Sequence, residues 1–303
     1  MTAVAFFALY AAAAATLAPV ALHGGWVTRS PRLAISLWLA LAVSWLIAVV
    51  MAVLAVALPF SLAWAGSQPG SGGLLGGPQL PGGGVVAALA LAAALVVWAG
   101  WCLAAELRSG WRDRREFAAL VAATGRPGPE RDLVILDHDG PVIYCTASGR
   151  NRIVVSAGAL TALTPAQIRA VIAHERAHLR CRHHAMLAFA RALARAFPRV
   201  PLLAQAEGQL RVLAEMAADD AAARGHRRDD LAAALVILAR GAPHPAALAA
   251  GGPAALARLE RMLAPQQRTG LAGLVAAAGL LPPAAIACVP LIIAVCDLVT
   301  HAG

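Results

Sequence analysis

The stretch "LTPAQIRAVIAHERAHLRCRHH", Leu163–His184, decides the fold of the region around it. Thr164 is a residue type that caps helix N-termini, Pro165 suits the first helical position, and Gln167 can complete a capping box. The apolar residues that recur at helical spacing are Ile168, Val171, Ile172 and Leu179. The pattern predicts a helix with one buried face and a markedly polar remainder.

His174 and His178 lie four residues apart, so a helix places both imidazoles on one face within reach of one ion. Zinc accepts neutral imidazole nitrogens at about 2.0–2.1 Å, and a catalytic zinc site keeps three protein ligands and a water. Glu175 would lie beside that water, take its proton and later deliver it to a leaving amine. The HERAH segment therefore predicts two metal ligands and a general base. The alternative is a pair of histidines hydrogen-bonded at a helix contact.

A third ligand is expected from "QLRVLAEMAADDAAARG", Gln209–Gly225, which predicts the next helix. Glu215 and Asp219 share a face of this helix, and their spacing is similar to the E-x-x-x-D arrangement of the gluzincin class of metallopeptidases. That resemblance implies that Glu215 binds zinc and that Asp219 orients a ligating histidine, fixing its tautomer. The alternative is an acidic, solvated helix face, with Asp220 and Glu207 as competing carboxylates.

A small sheet is predicted before the HERAH helix, because short β-branched runs alternate with turn signals there. The predicted strands are Leu133–Leu136, Val142–Cys145 and Arg152–Ser156. Two further helices, Asp229–Arg240 and Pro253–Ala264, are expected after the acidic helix, where they would pack around the site.

The composition is that of a membrane protein, since 60% of the 303 residues are hydrophobic and only 14% are charged. About 20 apolar residues are needed to cross roughly 30 Å of hydrocarbon. Long stretches without charge predict four transmembrane helices, at about Thr2–Leu22, Leu33–Trp64, Val85–Ala105 and Leu271–Val295. A cleaved signal peptide is the alternative for the first of them.

The arginines predict the orientation of these spans. The chain has no lysine, and apart from Arg29 and Arg32 every arginine lies between Glu106 and Arg268. The positive-inside rule places both arginine-bearing segments in the cytoplasm and the glycine-rich loop at 66–84 outside. We therefore expect a multi-pass protein of the cell membrane. The net charge of +9 suits a surface beside anionic lipid, and without a nucleic-acid-binding motif no direct nucleic-acid partner is expected.

The sequence divides into three predicted parts. Residues 1–110 hold three transmembrane helices, residues 111–268 form a cytoplasmic domain, and residues 269–303 form the fourth transmembrane helix with a short tail. The predicted fold class is a mainly α membrane protein with an inserted α+β gluzincin-like metallopeptidase domain.

Two segments carry a resemblance to a known family: "RIVVSAGALTALTPAQIRAVIAHERAHLRCRHHAM", Arg152–Met186, and "EMAADDAA", Glu215–Ala222. They resemble the cytoplasmic peptidase domain of the BlaR/MecR-type antirepressor membrane metallopeptidases and, less closely, the HtpX and CAAX-protease class. The resemblance implies an integral-membrane endopeptidase with one Zn²⁺ per chain and a cytoplasmic protein substrate, in that family a BlaI-like repressor. The implied zinc ligands are His174, His178 and Glu215, with Glu175 as general base and Asp219 as support.

The same resemblance gives further expectations. Arg152–Ser156 would be an edge strand that holds the substrate peptide by strand addition. The penicillin-binding sensor domain of β-lactam-sensing relatives has no counterpart after the predicted fourth span, so we expect a signal to enter through the spans, the outer loop or a separate sensor protein. The residue that stabilises the oxyanion stays open among His183, His184, Arg224 and His226.

Two alternative functions are kept. One is an HtpX-like protease that clears damaged membrane proteins. The other is a non-catalytic membrane sensor or scaffold in which zinc only holds the fold. Glu175 argues against the scaffold, because a purely structural zinc site needs no general base.

Overall fold

The computed structural model describes residues 2–66, 83–147, 151–240 and 255–264. The helices are α1 Thr2–Ala21, α2 Trp26–Arg29, α3 Pro31–Gly66, α4 Gly83–Thr124, α5 Ala157–Ala162, α6 Pro165–Arg180, α7 His183–Ala196, α8 Pro201–Ala222, α9 Arg228–Arg240 and α10 at residues 255–263. The strands are β1 Gly125–Pro127, β2 Leu133–Leu136, β3 Ile143–Thr146 and β4 Arg152–Ser156. Most of the predicted outer loop and the whole predicted fourth span, Leu271–Val295, lie outside the described residues.

Three of the described helices are long and apolar enough to cross a membrane, which indicates a membrane protein. Their apolar segments are Val4–Ala21, Pro31–Val56 and Val85–Thr124. The 42 residues of α4 span about 63 Å at 1.5 Å per residue. This is about twice the roughly 30 Å of a bilayer core, so α4 continues well past Glu106, its first charged residue. The predicted domain boundary between residues 110 and 111 falls inside this helix.

The sheet has four strands in the order β1-β2-β4-β3 among the described residues. β4 pairs with β2 in parallel and with β3 in antiparallel orientation. The predicted strands Leu133–Leu136 and Arg152–Ser156 are confirmed at both ends, and the third is shifted by one residue, to Ile143–Thr146.

The prediction that Arg152–Ser156 is an edge strand is wrong, because β4 has a hydrogen-bonded neighbour on each side. The physical reason is visible in its residues: Ile153, Val154 and Val155 are consecutive and all buried. A strand that is apolar on both faces is typical of a sheet interior. The edge next to β4 belongs to β3 instead.

α6 begins as its sequence predicts. The Thr164 side chain accepts a hydrogen bond from the Gln167 backbone N–H, and the Gln167 side chain accepts one from the Thr164 N–H, which completes the capping box. The buried face of α6 packs against the sheet and α9, in a core that includes Val155, Val171 and Leu231.

A second core joins the apolar N-terminal helices to the helices that follow the HERAH segment. It consists mainly of residues from α1, α3, α7 and α8, together with Leu22 and Val27 from the segment between α1 and α3. Its largest fully buried members are Leu22, Leu37, Trp38, Leu202, Leu203, Leu210 and Leu213. At the far end of α7, the Trp98 indole N–H donates to the carbonyl of Ala196, and the rings of Trp45 and Phe197 lie 5.2 Å apart. α8 therefore contacts both the candidate membrane helices and α6, which fixes its position between the two cores.

Ser156, at the junction of β4 and α5, is expected to be the most sensitive polar residue of the sheet. Its buried hydroxyl accepts hydrogen bonds from the N–H groups of Val142 and Ala159 and donates one to the Gly140 carbonyl. Ser156→Ala removes the acceptor of both N–H groups, and we expect it to lower the free energy of unfolding by about 2–4 kcal/mol. Chemical denaturation in detergent would measure the change.

Thr161→Ala is the matched control, because the Thr161 hydroxyl is exposed and bonds only to carbonyls of its own helix. A change below about 0.5 kcal/mol is expected there. Equal losses for the two variants would contradict the role given to Ser156.

Candidate metal centre

α6 and α8 bring three potential metal ligands together. Nε2 of His174 lies 3.0 Å from Nε2 of His178, and each of these nitrogens lies 3.5 Å from an oxygen of Glu215. Among the described residues, these three form a His/His/Glu group that could hold a metal ion. The two histidines come from successive turns of α6, and the carboxylate comes from the facing side of α8.

The donor set fits a small divalent cation. In a tetrahedral site with bonds of about 2.0–2.2 Å, the ligand atoms lie about 3.3–3.6 Å apart, and the three separations here are 3.0, 3.5 and 3.5 Å. Two imidazoles and a carboxylate are ligands that zinc accepts. The two competing carboxylates are engaged elsewhere: Asp220 pairs with Arg228 and Arg261, and Glu207 pairs with Arg191 and Arg211.

Asp219 contacts the ring nitrogen of His174 that faces away from His178 and Glu215. Its carboxylate is 1% exposed, and its Oδ1 lies 3.0 Å from Nδ1 of His174. Among the described residues that nitrogen makes no hydrogen bond of good geometry, so Asp219 contacts it as an ion-pair partner. The Arg258 guanidinium donates two hydrogen bonds to Asp219, both of 2.8 Å, which neutralises the buried charge.

Arg258 also contacts a candidate ligand directly, since its Nη1 lies 2.8 Å from Oε2 of Glu215. Burial alone would raise the pKa of Glu215, but the hydrogen bond from His174 and the charge of Arg258 outweigh it and lower the pKa to about 2. Glu215 is therefore ionised at neutral pH, as a metal ligand must be. The sequence analysis missed Arg258, which belongs to a helix expected only to pack around the site.

The two histidines have opposite protonation in the absence of metal. Burial would lower the pKa of His174, but Asp219 and Glu215 outweigh it and raise the pKa to about 9. Burial lowers the pKa of His178 to about 4, and the charge of His174 contributes to this shift. At pH 7 the pair therefore holds one proton on its facing nitrogens, and His174 donates to His178.

Glu175 follows His174 on α6 and lies near Cys145 of the edge strand β3. Burial raises the pKa of its carboxyl group, and the charge of His174 and the neighbouring thiol and backbone N–H of Cys145 oppose this shift. Burial and the charge of Glu175 raise the pKa of the Cys145 thiol. The thiol therefore remains protonated and acts only as a donor. The sequence analysis did not predict this contact.

A cavity of about 650 Å³ opens over these residues. Its walls come from α4, β3, α6, α7 and α8, and its lining includes Phe117, Tyr144, Cys145, His174, Glu175, His178, His183, His184 and Glu215. The rings of Phe117 and Tyr144 lie 5.3 Å apart, so α4 and β3 meet there. The cavity thus exposes all three candidate ligands and the candidate base to a substrate.

Of the four oxyanion candidates, His183 and His184 line the cavity, whereas Arg224 and His226 follow the end of α8 and do not. Nδ1 of His183 lies 2.9 Å from Nδ1 of His178. With His178 neutral, that contact lets His178 donate to His183, which leaves Nε2 of His178 free to bind a metal. This position would let His183 orient a candidate ligand, a role that the sequence analysis did not consider.

Residues 107–211 match the family model described as Peptidase family M48. The matched stretch includes His174, Glu175 and His178 and ends four residues before Glu215. No curated protein and no solved structure gives a significant match to the chain. The family match supports an M48 metallopeptidase, an enzyme that hydrolyses peptide bonds.

The proton on the histidine pair predicts how metal binding depends on pH. Because His174 has a pKa of about 9 without metal, it must lose about one proton to bind. We expect Zn²⁺ affinity to rise about tenfold per pH unit between pH 6 and 8, with about one proton released per ion at pH 7.5. Calorimetry in buffers of different ionisation enthalpy would count the protons.

Asp219→Asn and Asp220→Asn form a matched pair for this measurement. Asp219→Asn removes the carboxylate that raises the pKa of His174, so fewer protons should be released at pH 7.5. Asp220→Asn should leave the number unchanged, because Asp220 pairs with arginines instead. An unchanged count in Asp219→Asn would contradict the assignment.

Proposed function

We propose that the chain is an integral-membrane zinc endopeptidase that hydrolyses a protein substrate in the cavity between α4 and β3. The observation that carries this proposal is the convergence of His174, His178 and Glu215 in one cavity with the half-buried carboxyl group of Glu175. The match to Peptidase family M48 and the three candidate membrane helices support it.

The roles of the ligands follow from their chemistry. His174, His178 and Glu215 would hold Zn²⁺, which supplies a Lewis acid that activates water and polarises the scissile carbonyl. Asp219 would keep the proton of His174 on Nδ1. His178 would keep its own proton on Nδ1 and donate a hydrogen bond from there to Nδ1 of His183. Both imidazoles would then present Nε2 as the donor atom.

Glu175 would carry the proton. Its carboxylate would accept a proton from water as the water oxygen adds to the substrate carbonyl carbon, and would then pass it to the amide nitrogen as the C–N bond breaks. Burial raises the pKa of this carboxyl group towards the working pH. A group with such a pKa can both accept a proton in the first step and donate it in the second. Cys145 would orient the carboxylate without taking the proton.

The strand that we propose for substrate binding is β3, in place of β4. β3 lies at the edge of the described sheet, and Tyr144, Cys145 and Thr146 line the cavity. A peptide added to this edge would run past Cys145 and therefore past Glu175. Strand addition binds the backbone of a peptide, which supports cleavage within an extended segment.

Two substrate classes remain compatible with this site. The resemblance implies a BlaI-like repressor, and the family match agrees equally well with an HtpX-like enzyme that clears membrane proteins. Because α4 runs from a candidate membrane segment into the wall of the cavity, we propose that the substrate is cut close to the membrane surface.

The decisive experiment measures the metal content of the chain purified in detergent and the cleavage of substrates that are co-expressed with it. We expect about one Zn²⁺ per chain and cleavage of co-expressed substrates by the wild type. Glu175→Ala should keep the metal and lose at least 10²-fold in activity, as expected when a general base is removed. His174→Ala should lose both metal and activity.

Glu260→Gln is the matched control, since Glu260 is an exposed carboxylate on α10 and does not line the cavity. Its metal content and activity should equal those of the wild type. Cleavage that survives Glu175→Ala would overturn the mechanism, and bound zinc without cleavage of any substrate would favour the scaffold alternative.

A repressor and an unfolded membrane protein, co-expressed separately, would distinguish the two substrate classes. A single cut in the repressor with no cleavage of the misfolded protein favours signalling. Cleavage of the misfolded protein at many positions favours quality control.

A further inference from the structure

The cavity contains one arginine, Arg114, which the proposed mechanism does not use. It projects from α4, between Asp113 and the Phe117 ring that contacts Tyr144, and it is the only Arg among the described residues that line the cavity. No ion pair joins Arg114 to a carboxylate of the described residues, and its Nε is buried without a hydrogen-bond partner. By contrast, Arg258 pairs with both Glu215 and Asp219.

The position of the Arg114 guanidinium is defined by the backbone of its own helix. Nη1 lies 2.9 Å from the point where a Cβ on Gly110 would stand, and Cζ and Nη2 lie 3.6 and 3.7 Å from that point. The group therefore folds back by one helical turn and rests against Gly110. Glycine at this position leaves room for the guanidinium beside the cavity.

An unpaired guanidinium in a cavity favours an anionic ligand. A buried N–H without a partner is unfavourable, and a planar guanidinium binds a carboxylate through two parallel hydrogen bonds. Burial and the neighbouring charge of Arg114 lower the pKa of His184, so this imidazole is neutral at pH 7. Arg114 is therefore the cation that an incoming carboxylate would meet on the α4 wall.

We propose that Arg114 is a specificity-determining residue that binds an acidic side chain of the substrate near the scissile bond. The proposal rests on the proposed endopeptidase function and adds a substrate preference to it. The carboxylate would pair with Arg114, and the neighbouring aromatic pair of Phe117 and Tyr144 would contact an adjacent apolar residue. The preferred cleavage segment is therefore acidic and apolar together, in an extended strand along β3.

The test uses quenched fluorescent ten-residue peptides with amidated C-termini, in which one Glu is moved through the sequence and compared with Gln at the same position. For at least one position we expect the wild type to show a kcat/KM about 10- to 100-fold higher for Glu than for Gln, as for a charge-assisted pair. Arg114→Gln should bring that ratio close to one, and Arg114→Glu should favour Lys over Glu at that position.

Arg112→Gln is the control, because Arg112 is exposed on α4 and does not line the cavity. It should keep the Glu preference. Gly110→Ala crowds the guanidinium without changing any charge, so it should weaken the preference while the activity towards Gln peptides stays near the wild-type level. A Glu preference that is absent, or that survives Arg114→Gln, would overturn the proposal.

Two further measurements distinguish a failure of this proposal from a failure of the proposed endopeptidase function. Binding of the same peptides to zinc-loaded Glu175→Gln protein, followed by fluorescence anisotropy, reads recognition without turnover. A Glu preference in binding that depends on Arg114 supports the proposal even if no peptide is cleaved. The same peptides with a free C-terminus test whether Arg114 binds the C-terminal carboxylate instead of an acidic side chain. If Arg114 favours only the peptides with a free C-terminus, its ligand is the C-terminus and the proposal is overturned.

Discussion

The buried carboxylate of Asp219 is the constraint on which the centre depends. A charge that is 1% exposed must be matched by fixed partners, and Asp219 has two, the Arg258 guanidinium and the His174 ring. These partners come from α10 and α6, while Asp219 itself belongs to α8. One side chain thereby fixes three helices relative to each other, and with them the positions of both imidazoles and of Glu215.

Short-range sequence patterns were sufficient to predict the two helices, α6 and α8, that carry the candidate metal ligands. The start of α6 follows from Thr164, Pro165 and Gln167, because a capping box is decided within a single turn. The pairs at i, i+4 on α6 and α8 follow in the same way from helical geometry. That these two faces meet depended on a family resemblance, since spacing along the chain does not determine which helices pack together.

What sequence reasoning missed depends on contacts between distant residues. Arg258 lies 39 residues beyond Asp219, and no local pattern distinguishes it from other arginines of an arginine-rich chain. The error over β4 is different, because its continuous apolar run already indicated an interior strand. The Cys145 contact with Glu175 required knowledge of which strand forms the edge of the sheet.

The shared core of α1, α3, α7 and α8 has a consequence for the form in which the protein can exist. The surface of α8 that packs on Trp38 and Leu37 is the reverse side of the helix that carries Glu215. A fragment cut free of its N-terminal helices would expose this leucine-rich face to water and would aggregate. We therefore expect a stable preparation of the metal centre to need the N-terminal helices as well.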